Sequence, residues 1–393
     1  MRPELWVWLL WGALIAASCI VAAEPSNLSG KIEDRADLGS MNLSFMNLSG
    51  EHLNQSNLTA SDLSGSNLSG TYLRSAWLID SLLVGAKMAK ADLTGADLHG
   101  ADLNGSDLSG AILVRSQMSK VMLNNARLIK ADLTEADLSD TYLSGTDLTD
   151  ARLFRTDLSG ANLEGIYLIS ANLIGAHVSW ADLSGGYLSR GQFSRAELYS
   201  TNLSGAELSD ADFTRAYLMR ANLTGANLKW ASLAYADLTE AKLMGASLNS
   251  ANLPYADLTR ANLTGADLSN ADLTTVRLIG AILHKVKLGR VDLREIDLRG
   301  VDLSEAILKN ANLALVFLTN ANMRGADLRD ATFDRVEMTG VDLTGANLEG
   351  IRYDQFTLYS LSNAKLEGAK MSENLKADLK SLLLEANVSS LHG

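Results

Sequence analysis

The sequence predicts an all-β fold, a four-sided solenoid of about 16 coils ended by a short C-terminal α-helical cap, and three periodic features predict it. Every fifth residue from Leu38 to Leu358 is apolar; of 65 such central positions 56 are Leu, and the rest are Met, Val, Phe or Tyr. Two residues before most of them stands a small side chain, Ala in 37 units and Ser, Thr or Gly in 13 more. Of the 31 glycines, 24 carry numbers divisible by five, two places after the central residue.

The first 23 residues stand outside this pattern. Leu5 to Ala23 is free of charge and rich in Trp, Leu, Ile and Ala, and Val21-Ala22-Ala23 offers the small residues a signal peptidase needs. The leading reading of 1–23 is a cleaved export signal. A retained membrane anchor over 5–23 and a lipid carried on Cys19, after Ala16-Ala17-Ser18, stay open beside it. Cys19 is the only cysteine, so a chain cut after Ala23 would have no thiol chemistry. Residues 24–35 form an irregular lead-in. Glu51 occupies an inward position with Lys31 twenty residues before it, and the spacing predicts an ion pair in the first coil.

Residues 36–358 carry the repeat, of which Ala91-Asp92-Leu93-Thr94-Gly95 is typical. Period five suits neither regular structure if the chain runs straight. On an α-helix successive central residues would rotate by about 140° and share no face. On a strand, whose side chains alternate, an odd repeat would throw them to opposite faces. The chain must turn within every unit. Ala and Leu, two apart, then share the inner side of a short extended segment, Asp or Asn between them points out, and Ser/Thr-Gly makes the corner.

Stacked positions should share substitutions at the period of one coil. Phe193, Phe213, Phe333 and Tyr353 are separated by multiples of 20, and the inward Val276, Ile296, Val316 and Val336 recur every 20 residues, with Phe356 continuing the series. Four units therefore close a coil, and about 16 coils at ~4.8 Å make a rod roughly 75 to 80 Å long. Gly186 and Gly191, at inward positions otherwise mostly Ala, precede Phe193 and imply volume compensation in a filled interior.

The tandem A(D/N)LXX unit resembles that of the pentapeptide-repeat proteins over residues 36–358. The resemblance implies a right-handed quadrilateral β-helix with the central and small residues inside. For some members it implies imitation of DNA and binding to type II topoisomerase.

Over 359–393 the register shifts. Leu366 and Met371 resume the motif eight residues out of step, with Asp354 to Asn363 expected as a loop. Leu375, Leu379, Leu382, Leu383 and Ala386 then fall at helical spacing behind Ser372 as N-cap, which predicts a capping helix; its alternative role is a homodimer contact.

A net charge of −12 argues against nucleic acid as a partner. The histidines, His52, His99, His177, His284 and His392, are scattered, no nucleophile or phosphate-loop motif occurs, and a filled prism has no pocket; no catalytic, cofactor or metal site is expected. The outward Asp92, Asp97, Asp102 and Asp107 ring one coil and are read as turn chemistry rather than as a cation rim or a phosphate mimic. Lys285, Lys287, Arg290, Arg294 and Arg299 form a basic stretch, read as a solvated face. Trp180, Tyr199, Tyr217 and Met219 gather apolar surface and are the candidate partner site. The reading is a non-catalytic scaffold or protein-binding rod acting through its outer faces, exported to a bacterial periplasm or, as the resemblance to exported cyanobacterial members of the family implies, to a thylakoid lumen. The alternatives are the topoisomerase-binding DNA mimic and an assembly factor held at a membrane by residues 5–23.

Overall fold

The computed structural model describes residues 32–390. The expectations for residues 1–23, for Cys19 and for a Lys31–Glu51 pair lie outside the described residues, although Glu51 itself is buried.

Each unit turns where the sequence places its corner. The residue numbered by a multiple of five lies in the left-handed region, and glycine is not required there: Trp180 has φ 60°, Thr275 φ 54° and Leu315 φ 59°. What repeats instead is a side-chain clamp. The outward Asp or Asn accepts from the backbone N–H two residues on, as in Thr94 N to Asp92 Oδ1 at 3.1 Å and Ser139 N to Asp137 Oδ1 at 2.9 Å. Asp and Asn share the position because either offers that acceptor; the outward acids are turn chemistry.

Outward residues pair by parallel bridges with those twenty places on, from Asp37–Asn57 to Asp327–Asn347. One circuit therefore takes four units, and the outward positions form four columns. Face 1 carries Asp37, Asn57, Trp77 and onward, face 2 Asn42, Asp62 and Leu82, face 3 Asn47, Asn67 and Lys87, and face 4 His52, Tyr72 and Asp92. Central and small residues are buried almost without exception, in one core running the length of the rod. Phe193 stacks on Phe213 with ring centroids 4.8 Å apart and 11° between planes. Most inward hydroxyls donate to backbone carbonyls, as Ser61 Oγ does to Leu58 O at 2.7 Å, whereas those of Ser66 and Ser106 are buried without a partner.

The ladder lapses once in mid-rod: the pairs 272–292 and 277–297 are not bridged. Around this seam the inward residues change from Ala to Val276, Val291 and Ile296.

The C-terminal end departs from expectation. Strands β1 (Thr332–Phe333) and β3 (Arg352–Tyr353) pair in parallel, as do β2 (Asn347–Leu348) and β4 (Lys370–Met371). Between β3 and β4 the segment expected as a loop contains helix α1, Gln355–Leu361. Asp354 caps it, accepting from Thr357 N at 2.8 Å, and Leu358 and Leu361 are buried. The helix ends the ladder on face 1: Met338 N donates to Ser360 Oγ in place of a carbonyl of a further coil, and Val336 N, whose counterparts in regular units donate to the carbonyl three residues back, donates to Thr357 Oγ1 at 3.1 Å. Phe356 consequently does not continue the inward valine column; it lies on α1 and is 53% exposed. Tyr353 is only partly buried and donates from its hydroxyl to Asp378 Oδ2 at 2.7 Å. Burial and that carboxylate push its pKa up to about 12.

Across α1 the bridge spacing becomes 23, as in Asp342–Lys365 and Asn347–Lys370, so the register shift equals three inserted residues. Helix α2 follows, Glu373–Ser390, with Leu375 N donating to Ser372 Oγ at 3.3 Å. Leu375 and Leu379 are buried, whereas Leu383 is 52% exposed. Leu382 packs against the core beside them, and Leu383 lies at the outer edge of the same helical face. No helix among the described residues is long and apolar enough to cross a membrane.

Candidate partner-binding faces

Three of the four candidate residues lie along one corner, where face 1 turns into face 2. Trp180, at 65% exposure, meets Tyr199 edge-on, with centroids 5.6 Å apart and planes at 77°. Tyr199 Oη accepts from Arg220 Nη1 at 2.8 Å, and Arg220 Nε donates to Glu240 Oε2 at 2.7 Å. Arg260 Nη1 lies 3.8 Å from the other Glu240 oxygen. The hydrogen bond from Arg220 holds the Glu240 carboxyl below its ordinary range, and Glu240 in turn raises Arg220. Five successive coils thus carry a connected ladder, Trp180–Tyr199–Arg220–Glu240–Arg260.

Met219 joins this corner through its main chain, its carbonyl accepting from Ser200 N at 3.0 Å. Tyr217 sits on the flat of face 1, 52% exposed, and among the described residues no ring contact links it to the other candidates. Its column reads His177, Glu197, Tyr217, Asp237 and Asp257, with His177 Nδ1 3.0 Å from Glu197 Oε2.

The sequence reading missed the opposite edge of face 1. There Tyr235 and Tyr255 stack at 4.8 Å with 6° between planes, and the Arg215 guanidinium lies 5.4 Å from the Tyr235 centroid. The signal was present, since 235 and 255 are corner residues twenty apart. On face 3, Tyr167 and Tyr187 stack likewise at 4.8 Å.

The basic stretch is largely neutralised in place. Lys285 pairs with Glu305, Lys287 with Asp267, Arg294 with Asp292 and Arg299 with Asp297. Among the described residues no group of three His, Cys, Asp or Glu side chains could hold a metal ion.

The family model for pentapeptide repeats matches segments that follow one another without a gap from residue 36 to 350. The chain belongs to the pentapeptide-repeat family. Its members form right-handed β-helices and are in general non-catalytic structural or binding proteins. Among solved structures it is similar to HetL, a pentapeptide repeat protein involved in heterocyst differentiation regulation in the cyanobacterium Nostoc. The identity is 30% over 65% of this chain and 92% of that one, with a TM-score of 0.22. It is also similar to full-length QnrB1, a plasmid-mediated fluoroquinolone resistance protein, at 16% identity over 58% of this chain and 96% of that one, TM-score 0.20. A third is a pentapeptide repeat protein of the Arabidopsis thaliana thylakoid lumen, at 26% identity over 40% of this chain and 74% of that one, TM-score 0.12. A search of curated proteins finds no match.

Proposed function

We propose that this pentapeptide-repeat protein is an exported, non-catalytic rod of about 16 coils, capped by its C-terminal helices, that binds a partner protein through face 1 between His177 and Arg260. One observation carries the reading. The Trp180–Tyr199–Arg220–Glu240–Arg260 ladder presents exposed aromatic and arginine side chains already held in place by one another. Aromatic residues and Arg dominate binding energy at interfaces, and side chains ordered before binding lose less entropy in the complex. The filled core leaves the outer faces as the surfaces available for recognition.

The DNA-mimic alternative needs a sustained acidic stripe, and every outward column breaks one. Face 1 interrupts Asp137 and Asp157 with His177, and Asp237 and Asp257 with Arg277.

A photo-crosslinking residue at Tyr217, compared with one at Ile307 on face 3, tests the site in cells. Adducts formed from position 217 and abolished by Trp180→Ala support it; equal adducts from both positions, or none from 217, refute it. Mass spectrometry of the mature N-terminus tests export. A start at Glu24 supports it, and an intact Met1 in a soluble fraction refutes it.

A further inference from the structure

In a molecule of net charge −12, most described arginines are paired with carboxylates, among them Arg74, Arg115, Arg152, Arg220, Arg277 and Arg324. Arg155, Arg190, Arg195 and Arg215 are not: among the described residues they make no ion pair. Arg35, Arg127, Arg290 and Arg352 share that condition, but they are dispersed along the rod. The first four are gathered on face 4.

Arg190 and Arg195 are the two corners that bound face 4 in one coil and flank Gln192. Arg215 stands one coil above Arg195, and Arg155 two coils below it, with Gly175 between. The Arg155 stem fills part of that gap, its Cγ lying 3.6 Å from where a Cβ on Gly175 would be. Like charges set one strand spacing apart repel, so this row is held against its own electrostatics.

Two of the guanidinium groups have ring contacts. Arg215 lies over Tyr235, which stacks on Tyr255, and Arg155 lies 5.0 Å from the Phe154 centroid. A guanidinium resting on a ring keeps its N–H edge free for a carboxylate fork. The floor between the two corners is mainly neutral: Asn172, Gln192, Ser232 and Asn252. Its one acid here, Asp212, already accepts from Ser194 Oγ at 2.6 Å and Thr214 N at 2.9 Å. Glu135 stands one coil below Arg155 and is engaged by Arg115; Asp150 and Asp210 stand on the far corner with Arg190; and Asp157, Glu197, Asp237 and Asp257 lie on adjoining face 1, where Glu197 is engaged by His177 and Asp257 by Arg277.

We propose that face 4, from Arg155 to Tyr255, docks an extended acidic peptide segment of a partner protein, its carboxylates bridging Arg195 and Arg215. Charge complementarity selects the occupant, because unpaired arginines on a neutral floor fit carboxylates on a linear chain. The floor amides and hydroxyls can meet the peptide backbone. From Arg155 to Tyr255 is five coil steps, about 24 Å, which an extended segment of about eight residues spans. The proposal extends the protein-binding reading to a second surface, and its test leaves Trp180 and Tyr217 untouched, so either can fail alone.

The probe is a fluorescein-labelled octapeptide of alternating Glu and Ser, with a Gln-for-Glu twin, titrated with the full chain by fluorescence anisotropy. The Glu peptide should bind and weaken with salt. Arg195→Gln/Arg215→Gln should weaken it about tenfold or more, while Arg299→Gln, which removes an arginine already paired, should leave it unchanged. Circular dichroism of both variants checks that the solenoid is intact. Equal binding of the two peptides, equal weakening by both variants, or no binding of the Glu peptide would overturn the proposal. So would capture of polygalacturonate or of phosphatidylglycerol vesicles through these arginines in preference to the peptide.

Discussion

Gly191 and Phe193 should behave as one packing unit. An Ala Cβ at 191 would meet Phe193 Cε2 at 2.6 Å, Leu188 O at 3.0 Å and Phe193 Cζ at 3.3 Å. The first distance is too short for any real contact, and the ring cannot swing freely, because it is fully buried and stacked on Phe213 at 4.8 Å. Ala211 coexists with Phe213 in the next coil, so some relaxation is available. Gly191→Ala should therefore cost the overpacking typical of a dense core, about 1–3 kcal/mol. Phe193→Leu alone loses ring burial and leaves a void, about 1–3 kcal/mol. The double variant restores the Ala-x-Leu unit found elsewhere along the rod, and its cost should fall below the sum of the singles by about 1 kcal/mol or more. A long repeat array need not unfold in one step, so the readout is local. Amide hydrogen exchange over residues 183–215 should quicken about five- to 150-fold in Gly191→Ala and return most of the way in the double variant. Additive effects, or an Ala at 191 that changes nothing, would refute the packing argument.

Leu228 is fully buried and Lys229 lies at a turn, so Leu228→Asp should melt neighbouring coils while Lys229→Ala shifts the thermal midpoint by little; equal shifts would contradict the inward and outward assignment. Burial pushes the Asp92 carboxyl up, but hydrogen bonds from Thr94 and Arg74 outweigh it and leave it below its ordinary value; Asp107 and Asp267 are lowered likewise by their turn serines, and Asp212 by Ser194 of the preceding coil and by Thr214. A carboxylate lowered in the folded state stabilises above its unfolded pKa, about 3.9 for Asp, and that contribution is lost as pH falls through the folded value. Melts should thus be steady from pH 7 to 5 and fall below about pH 4; identical midpoints at pH 7 and 3 would count against the clamps. Amides of Leu273 and Leu278, at the unbridged seam, should exchange faster than those of Leu233 and Leu238.

The repeat was legible because it rests on side-chain size alone: a central Leu and a small residue two places before it settle which sides face in, and shared substitutions at Phe193 and Phe213 settle the circuit. The end of the rod was harder. Thr357 and Ser360 look like ordinary unit residues, and only their hydroxyls on Val336 N and Met338 N reveal that a helix replaces the next coil. Extrapolating the valine column to Phe356 failed for that reason. Of the candidate site, exposed aromatics could be read from the sequence, yet Tyr235 and Tyr255 were overlooked as corner residues. Paired and unpaired arginines cannot be told apart by counting charge: Arg294 and Arg299 find acids two residues before them, whereas Arg195 and Arg215 find none.

Because every bridge of the regular rod joins residues twenty apart, surface azimuth is encoded by residue count. Deleting one block of twenty would shorten the rod by a single step and leave each downstream ligand in line with those upstream. Deleting five would rotate everything beyond the cut by a quarter turn, carrying the Trp180 corner out of register with whatever the earlier coils hold. The molecule is in this sense a dial as well as a ruler, and lineages that alter its length should do so in multiples of four units.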